Sequence, residues 1–471
     1  MSSIFWFRRD LRLEDNHGLF QALQQSYSVY PIFIFDSNIL EKLPSKHDRR
    51  VHLIWDAIEE INQKLSEFGK KLYLFYGNPV EIIPRLASEW KVSSVFTNRD
   101  YEPNAIERDS SVQKKLSVLN VEFHTFKDHV IFEMKEIMKS DGSAYVVYTP
   151  YSKAWMAAFK PDLSNSFSTE KFWYKFSVID KIPDGIKTVN HLEDTGFQKT
   201  DVKISGTRKS GLNFLTDFST RIQHYVDLRD IPSKKGVSYL SPYLRFGQIS
   251  IRECVQEATK HKNEGSEKWF KELIWREFYS MILYNFPNTV HESFKSEYKN
   301  INFPNDEKKF LAWCEGKTGF PIVDAAMRQL NQTGWMHNRL RMISASFLVK
   351  DLHIDWRWGE KYFADLLIDF DLSSNNGGWQ WAASTGCDAQ PYFRIFNPEL
   401  QSKKFDPDGV FIKKYIPELA FVPTNLIHTP ENLTEFDQIS YKVNIGRDYP
   451  LPIVNHQEAK SIALSLFKRI S

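Results

Sequence analysis

The chain has 471 residues, more than one ordinary core accommodates, and its length predicts two or three domains. An apolar content of 42%, a charged content of 25% and a net charge of +2 are those of a globular protein and carry no global electrostatic case for nucleic-acid binding. Three scattered cysteines (Cys254, Cys314, Cys387) exclude a disulfide framework and a paired metal-ligand spacing, and charge at Arg8 breaks any signal peptide.

No apolar run approaches the roughly 20 residues of a membrane span. A soluble protein of the reducing cytoplasm is expected. Up to residue 132 the runs 3–9, 29–36, 71–77, 94–100 and 121–128 read as strands. Residues 52–69 read as a helix, because Leu53, Ile54, Ala57, Ile58, Ile61 and Leu65 recur at helical spacing ahead of Gly69. This alternation predicts an α/β domain over 1–132 with a parallel five-stranded sheet, whose ligand-facing loops would be 8–15 and 98–104. Residues 133–205 turn to Pro, Ser, Lys and Asp and are expected to form a long linker with one short helix at 151–159. Between 206 and 471 strand patterns nearly vanish. Segments 210–227, 268–286, 319–332, 338–352 and 359–370 are helical, so the second domain is predicted to be all-α.

That helical domain holds an odd composition. Residues 334–398 carry five of the thirteen tryptophans, namely Trp335, Trp356, Trp358, Trp379 and Trp381. Among them stand Asn338, Arg339, Arg341 and Met342, then Asp369, Asp371, Asn375 and Asn376 before Gly377 and Gly378. Burying such polar groups unpaired costs on the order of 1–3 kcal/mol each. Aromatic planes mixed with fixed polar groups suit a large conjugated ligand instead. Glu272, Trp275, Arg276 and Tyr279 share one helical face, which alone could equally be a solvated face beside a core indole. Ser238 and Ser241 precede a helix, where hydroxyls and backbone N–H groups can hold phosphate, although serine caps are common in any case. The paired carboxylates also raise metal binding, against which no His or Cys stands at ligand spacing.

The stretches WFRRDLRLEDN (6–16), YTPYSKAW (148–155), SYLSPYLRFG (238–247), ELIWREFY (272–279) and EGKTGFPIVDAAMRQLNQTGWMHNRLRM (315–342) resemble the DNA photolyase/cryptochrome family, as do 369–384 and 391–398. The likeness runs nearly end to end and is strongest to bacterial class I cyclobutane pyrimidine dimer photolyases. It implies a Rossmann-like antenna domain over 1–132, a linker over 133–205 and a helical FAD- and DNA-binding domain over 206–471. It also implies a monomer that repairs dimers in DNA by electron transfer from excited, reduced FAD to a flipped-out lesion. The rival readings are a signalling cryptochrome and a (6-4) photolyase. Carried over by position, FAD contacts fall on Tyr225, Val237, Ser238, Tyr239, Leu240, Ser241, Glu272, Arg276, Tyr279, Arg341, Asp369, Phe370, Asp371 and Asn375. Arg341 would pair with Asp369, and the Asn375 amide would keep the reduced flavin anionic. Lesion and DNA contacts fall on Glu272, Trp275, Asn338, Arg339, Met342, Trp381, Arg394 and Lys404. Trp379 and Trp356 match an electron relay.

The chain departs from the pattern in two regions. Phe303 stands where the relay's third, surface-side tryptophan is usual, so that either Trp358, Tyr298 or Trp313 substitutes or photoreduction is slow. In the antenna region Asn104 matches a folate contact, but Ala105 replaces a common glutamate, and Val290 and His291 replace a Cys–Lys pair. Methenyltetrahydrofolate is the first expectation there, with a deazaflavin, a second flavin or no antenna as alternatives.

Overall fold

The computed structural model describes residues 1–179 and 181–468. Asp180 of the expected linker and the last three residues of the expected helical domain therefore lie outside the described residues.

Six strands form one sheet: β1 (Ser2–Phe7), β2 (Ser28–Asp36), β3 (Tyr73–Gly77), β4 (Ser94–Asn98), β5 (Glu122–Phe126) and β6 (Lys187–Thr188), in the order β5-β4-β1-β2-β3-β6. The first five are parallel, as their β-branched and aromatic runs with intervening helices require. The expectation of five strands is corrected by β6, which pairs antiparallel with β3 through Phe75↔Thr188 and Tyr76↔Lys187. A two-residue strand inside a polar stretch has no alternation to read, and its role is to cover the open edge of β3. The helix expected at 52–69 runs over Arg49–Ser66. It begins earlier because Asp48 caps it, accepting from the Arg50 N–H at 2.8 Å.

By packing, the chain divides into two compact units. The first comprises Met1–Tyr145, Thr149–Gln223 and Ser238–Asn285, and the second Val146–Tyr148, His224–Val237 and the chain from Phe286 onward. In the first unit Ile4, Trp6, Ile32, Phe75, Val95 and the inner faces of two helices make one core. A buried ionic knot ties its N-terminal loop to residues 250–252. Arg12 and Arg252 both donate to Asp128, at 2.7 Å each, and Arg252 also reaches Asp15 at 2.9 Å. These four side chains are 1–5% exposed.

The second unit is helical and centres on Asn338–Lys350, packed by the helices Pro321–Thr333, Trp356–Leu366 and Leu372–Ala383. Its last helix, His456–Lys468, is fastened at the corner that ends the central one. His456 Nδ1 meets Asp351 at 2.5 Å, His353 donates to the Ala459 carbonyl at 2.9 Å, and Lys350 Nζ lies 3.3 Å above the Phe467 ring. Among the described residues no helix is long and apolar enough to cross a membrane.

Candidate active-site residues

Within the first unit, the helix Glu264–Asn285 carries the polar-aromatic face. Trp275 packs on Tyr279 with ring centroids 5.5 Å apart, and Glu272 lies 3.8 Å from Lys268. Arg276 donates to the His129 carbonyl at 2.6 Å, so its guanidinium is partly committed to the backbone. Glu277 is turned to the opposite, buried side. It accepts from the Ile131 and Phe132 N–H groups and from the Trp155 indole at 2.7, 3.1 and 2.5 Å. Burial pushes its carboxyl up to about 7, the three donors offsetting only part of that cost. Sequence reasoning missed Glu277 because it looked like one more charge on a solvated helix.

The Glu277 shift has a measurable consequence. Its folded pKa lies above the ordinary 4.5, so the folded state binds the extra proton between those values. Its contribution to stability is present below pH 4.5 and is lost as pH rises through about 7. The slope over that window is about 1.4 kcal/mol per pH unit. Urea midpoints taken across it should fall with pH in the wild type and show a flatter dependence in Glu277→Gln; identical slopes would refute this.

The loop ahead of Ser241–Phe246 holds Tyr239 at φ +58, a conformation costly for a side chain of that size. Leu240 is buried, Ser238 and Tyr239 are half-buried, and Ser241 is exposed at the helix start.

In the second unit Tyr225 is buried under the Arg229 guanidinium, 5.1 Å from its ring, and Val237 is half-buried. Arg341 and Asp369 form an ion pair of 2.7 Å, with Arg341 Nε also donating to the Met336 carbonyl at 2.9 Å. Asp371 caps the Leu372–Ala383 helix, accepting from the Ser374 N–H at 3.1 Å and the Ser373 hydroxyl at 2.6 Å. Phe370 and Trp381 pack partly exposed on the unit's core. Asn338 is exposed and Met342 half-buried one turn on, 3.9 Å from its amide, so both lie on one face. Arg339 is paired with Asp230 at 3.0 Å and lies 4.4 Å over Phe405, while Arg394 and Lys404 are exposed. In the first unit Asn104 is exposed and Ala105 buried.

Asn375 brings in another residue the sequence did not mark. Its amide donates to the backbone carbonyl and the carboxylate of Glu360, at 3.1 and 2.9 Å. Burial pushes the Glu360 carboxyl up to about 6. Glu360 and Asn375 sit on different helices fifteen residues apart, so no spacing rule joins them.

Among the buried polar atoms left without a partner in the described residues are Asp369 Oδ1 and the Trp379 indole nitrogen. An acceptor and a donor withheld from water in this way are costly unless a ligand or water completes them. Asp369, Arg341, Asp371 and Asn375 therefore fit a cofactor rich in ring N–H, carbonyl and ribose hydroxyl groups.

Comparison with known proteins agrees. Residues 3–168 match the DNA photolyase family and residues 269–469 match the FAD binding domain of DNA photolyase. A deoxyribodipyrimidine photo-lyase of Vibrio cholerae is 38% identical over 99% of both chains. A bacterial class III photolyase from Agrobacterium tumefaciens superposes with a TM-score of 0.90 at 32% identity, covering 100% of this chain and 97% of that one. An archaeal photolyase from Sulfolobus tokodaii with two FAD molecules gives 0.84 at 36% identity, with 100% of both chains covered. The α/β sheet, the helical unit and these residues define a flavin-binding light-enzyme fold. The chain belongs to the DNA photolyase family, and FAD is its cofactor.

Proposed function

We propose that the protein is a deoxyribodipyrimidine photo-lyase, splitting cyclobutane pyrimidine dimers in DNA under light. The supporting observation is that Asp369, held at 2.7 Å by Arg341, keeps a buried oxygen without a partner among the described residues. Reduced, anionic FAD supplies the light-absorbing electron donor. The protein's residues bind, orient and dry the site. Asp369, fixed by Arg341, and Asp371 accept hydrogen bonds from the cofactor. Tyr225, Val237, Ser238, Tyr239, Leu240, Ser241, Arg276, Tyr279 and Phe370 complete its binding set. Asn375, held by Glu360, keeps an amide rather than an acid facing the flavin ring. Trp275 and Trp381 stack on the extruded bases, with Asn338 and Met342 lining their edge. Glu272 hydrogen-bonds a base carbonyl and stabilises negative charge as the ring opens. Arg339, Arg394 and Lys404 contact phosphates, Arg339 by sharing its charge with Asp230. Trp379 and Trp356 hold relay positions.

On this reading 1–132 is the antenna domain, 133–205 the linker and 206–471 the catalytic domain. We place a methenyltetrahydrofolate antenna against Asn104, and the protein as a monomer in the bacterial cytoplasm. Three buried, unpaired cysteines suit that compartment. Mass spectrometry of cofactors released on denaturation tests the antenna, and sedimentation tests the monomer.

The function is tested with reduced protein and a thymine-dimer oligonucleotide, in blue light and in darkness. Restored thymine should appear only in light, and binding should weaken as salt rises. Glu272→Ala should lower the repair yield per photon, measured per bound FAD, about tenfold or more. Equal product in light and dark would refute the reading; repair confined to a (6-4) oligonucleotide would shift it to the neighbouring activity.

A further inference from the structure

We propose that Glu277 is a positioning residue for the cofactor: it fixes the 128–132 segment so that the His129 carbonyl aims the Arg276 guanidinium. The proposal rests on the reading that Arg276 contacts FAD. Arg276 and Glu277 are neighbours on the helix Glu264–Asn285, so their side chains leave it about 100° apart. Both nevertheless end on the same short stretch of chain. Arg276 Nη1 donates to the His129 carbonyl at 2.6 Å, and Glu277 accepts from the Ile131 and Phe132 N–H groups at 2.7 and 3.1 Å. On the other side of His129, Asp128 is locked to Arg12 and Arg252 at 2.7 Å each. The His129 carbonyl therefore hangs between two buried anchors, one at residue 128 and one at 131–132. Glu277 is 2% exposed. Trp155, which donates a third hydrogen bond to it at 2.5 Å, is buried and packs on Phe132 with ring centroids 5.2 Å apart.

A loose arginine side chain samples many rotamers, and a fixed acceptor reduces what the cofactor must order on binding. Oε1 of Glu277 takes the Phe132 N–H and the indole, and Oε2 takes the Ile131 N–H, so all three contacts are with donors. An ionised carboxylate suits that environment. A protonated carboxyl brings a hydrogen of its own, for which none of these three partners is an acceptor. Protonation therefore loosens the 131–132 anchor and, through it, the His129 carbonyl.

Burial pushes the Glu277 carboxyl up to about 7, which places that loosening near neutrality. The groups around it hold their charge there. Arg276 is the neighbouring cation. Burial pushes His129 down to about 3, and it raises the Tyr101 phenol of the 98–104 loop and the Cys254 thiol well above their ordinary ranges. Against burial, Arg9 holds Asp100 well below the usual carboxylate range, and Glu133 is paired with Arg99 at 2.8 Å. Two effects of the Glu277 charge then oppose one another. By charge alone, an anionic cofactor binds better once Glu277 is neutral. Through Arg276, it binds better while Glu277 is ionised and the anchor holds. The sign of the pH dependence separates them.

The test dilutes the FAD-loaded full chain at pH 8 and at pH 6 and reads released flavin by fluorescence. In the wild type the dissociation constant should be about fivefold higher at pH 6, as an about tenfold weakening on protonation near pH 7 requires. Reciprocally, bound FAD should lower the proton affinity of Glu277 about tenfold, read by infrared titration of the carboxylic-acid band that Glu277→Gln removes. Glu277→Gln should hold FAD about tenfold more weakly at pH 8 and lose the pH dependence. In an Arg276→Met background the same change should weaken binding less than about twofold, because its effect runs through the guanidinium. The wild-type titration needs no variant, so it decides the matter even if Glu277→Gln does not fold. Flat or tighter wild-type binding at pH 6, or an undiminished Glu277→Gln loss in the Arg276→Met background, overturns the positioning role. Wild-type retention in Arg276→Met overturns it too, by removing Arg276 from the site. A wild-type chain that binds no FAD at either pH would instead defeat the flavin reading itself.

Discussion

Asp128→Asn is expected to destabilise the protein by about 3–5 kcal/mol, the cost of breaking a buried ionic group while its partners stay buried. Arg12 and Arg252 would both lose the carboxylate they share, and their side chains are only 1% and 4% exposed. Asp15 would remain for Arg252, at 2.9 Å, but Arg12 would keep only carbonyl acceptors, those of Asp15 and Gly247. The knot joins residues 12–15, 128 and 250–252, so the damage should spread over the unit that carries the Glu272 face. In the wild type, burial opposes the charge on Asp128, yet the two guanidinium groups outweigh it and hold the carboxyl well below the usual range. Its stabilisation is therefore complete above the ordinary pKa of 3.8 and is lost as pH falls toward the folded value. Urea unfolding at neutral pH measures the effect. A midpoint shift worth less than about 1 kcal/mol would show that the arginines find other acceptors.

Arg341→Met should weaken FAD retention, raising the dissociation constant by about tenfold or more. The same change leaves the Asp369 carboxylate, 2% exposed, without its cation. Because Arg341 is itself 26% exposed, water relieves part of that cost, and the loss of stability should fall at or below the lower end of the roughly 3–5 kcal/mol range. Asp369→Asn separates the two roles: it removes the charge from the atom left unpartnered, Oδ1, while conserving volume. Flavin release measured by fluorescence, together with thermal unfolding of the cofactor-free protein, distinguishes binding from folding. Native FAD affinity in both variants would remove Asp369 and Arg341 from the site.

Much of this architecture was legible in the chain, because the signals were local. The helix at Arg49–Ser66 announced itself through Leu53, Ala57, Ile58, Ile61 and Leu65, and the five parallel strands through their apolar runs. Phe303 and the crowded 334–398 segment could also be marked in advance, since motif position depends only on order. The helix starts were less legible: Asp48 is a short side chain that declares itself a cap only once the N–H groups behind it are free.

What the sequence could not disclose were the pairings made across distance. The edge strand Lys187–Thr188 has no pattern of its own and exists because β3 offers unpaired backbone groups. Glu277 and Glu360 look like ordinary helix charges, yet packing turns each into a buried carboxyl with a raised pKa. Trp313 read as one of several possible substitutes; its contact with Trp379 and the position of Phe310 under Trp358 appear only when the helices are assembled. The sequence by itself determined which residue types were available, the family they belong to and the elements that carry them, because propensity and periodicity act over a few residues. The tertiary structure alone decided which of those groups lose water and which rings touch, because desolvation and contact depend on residues brought together from far along the chain.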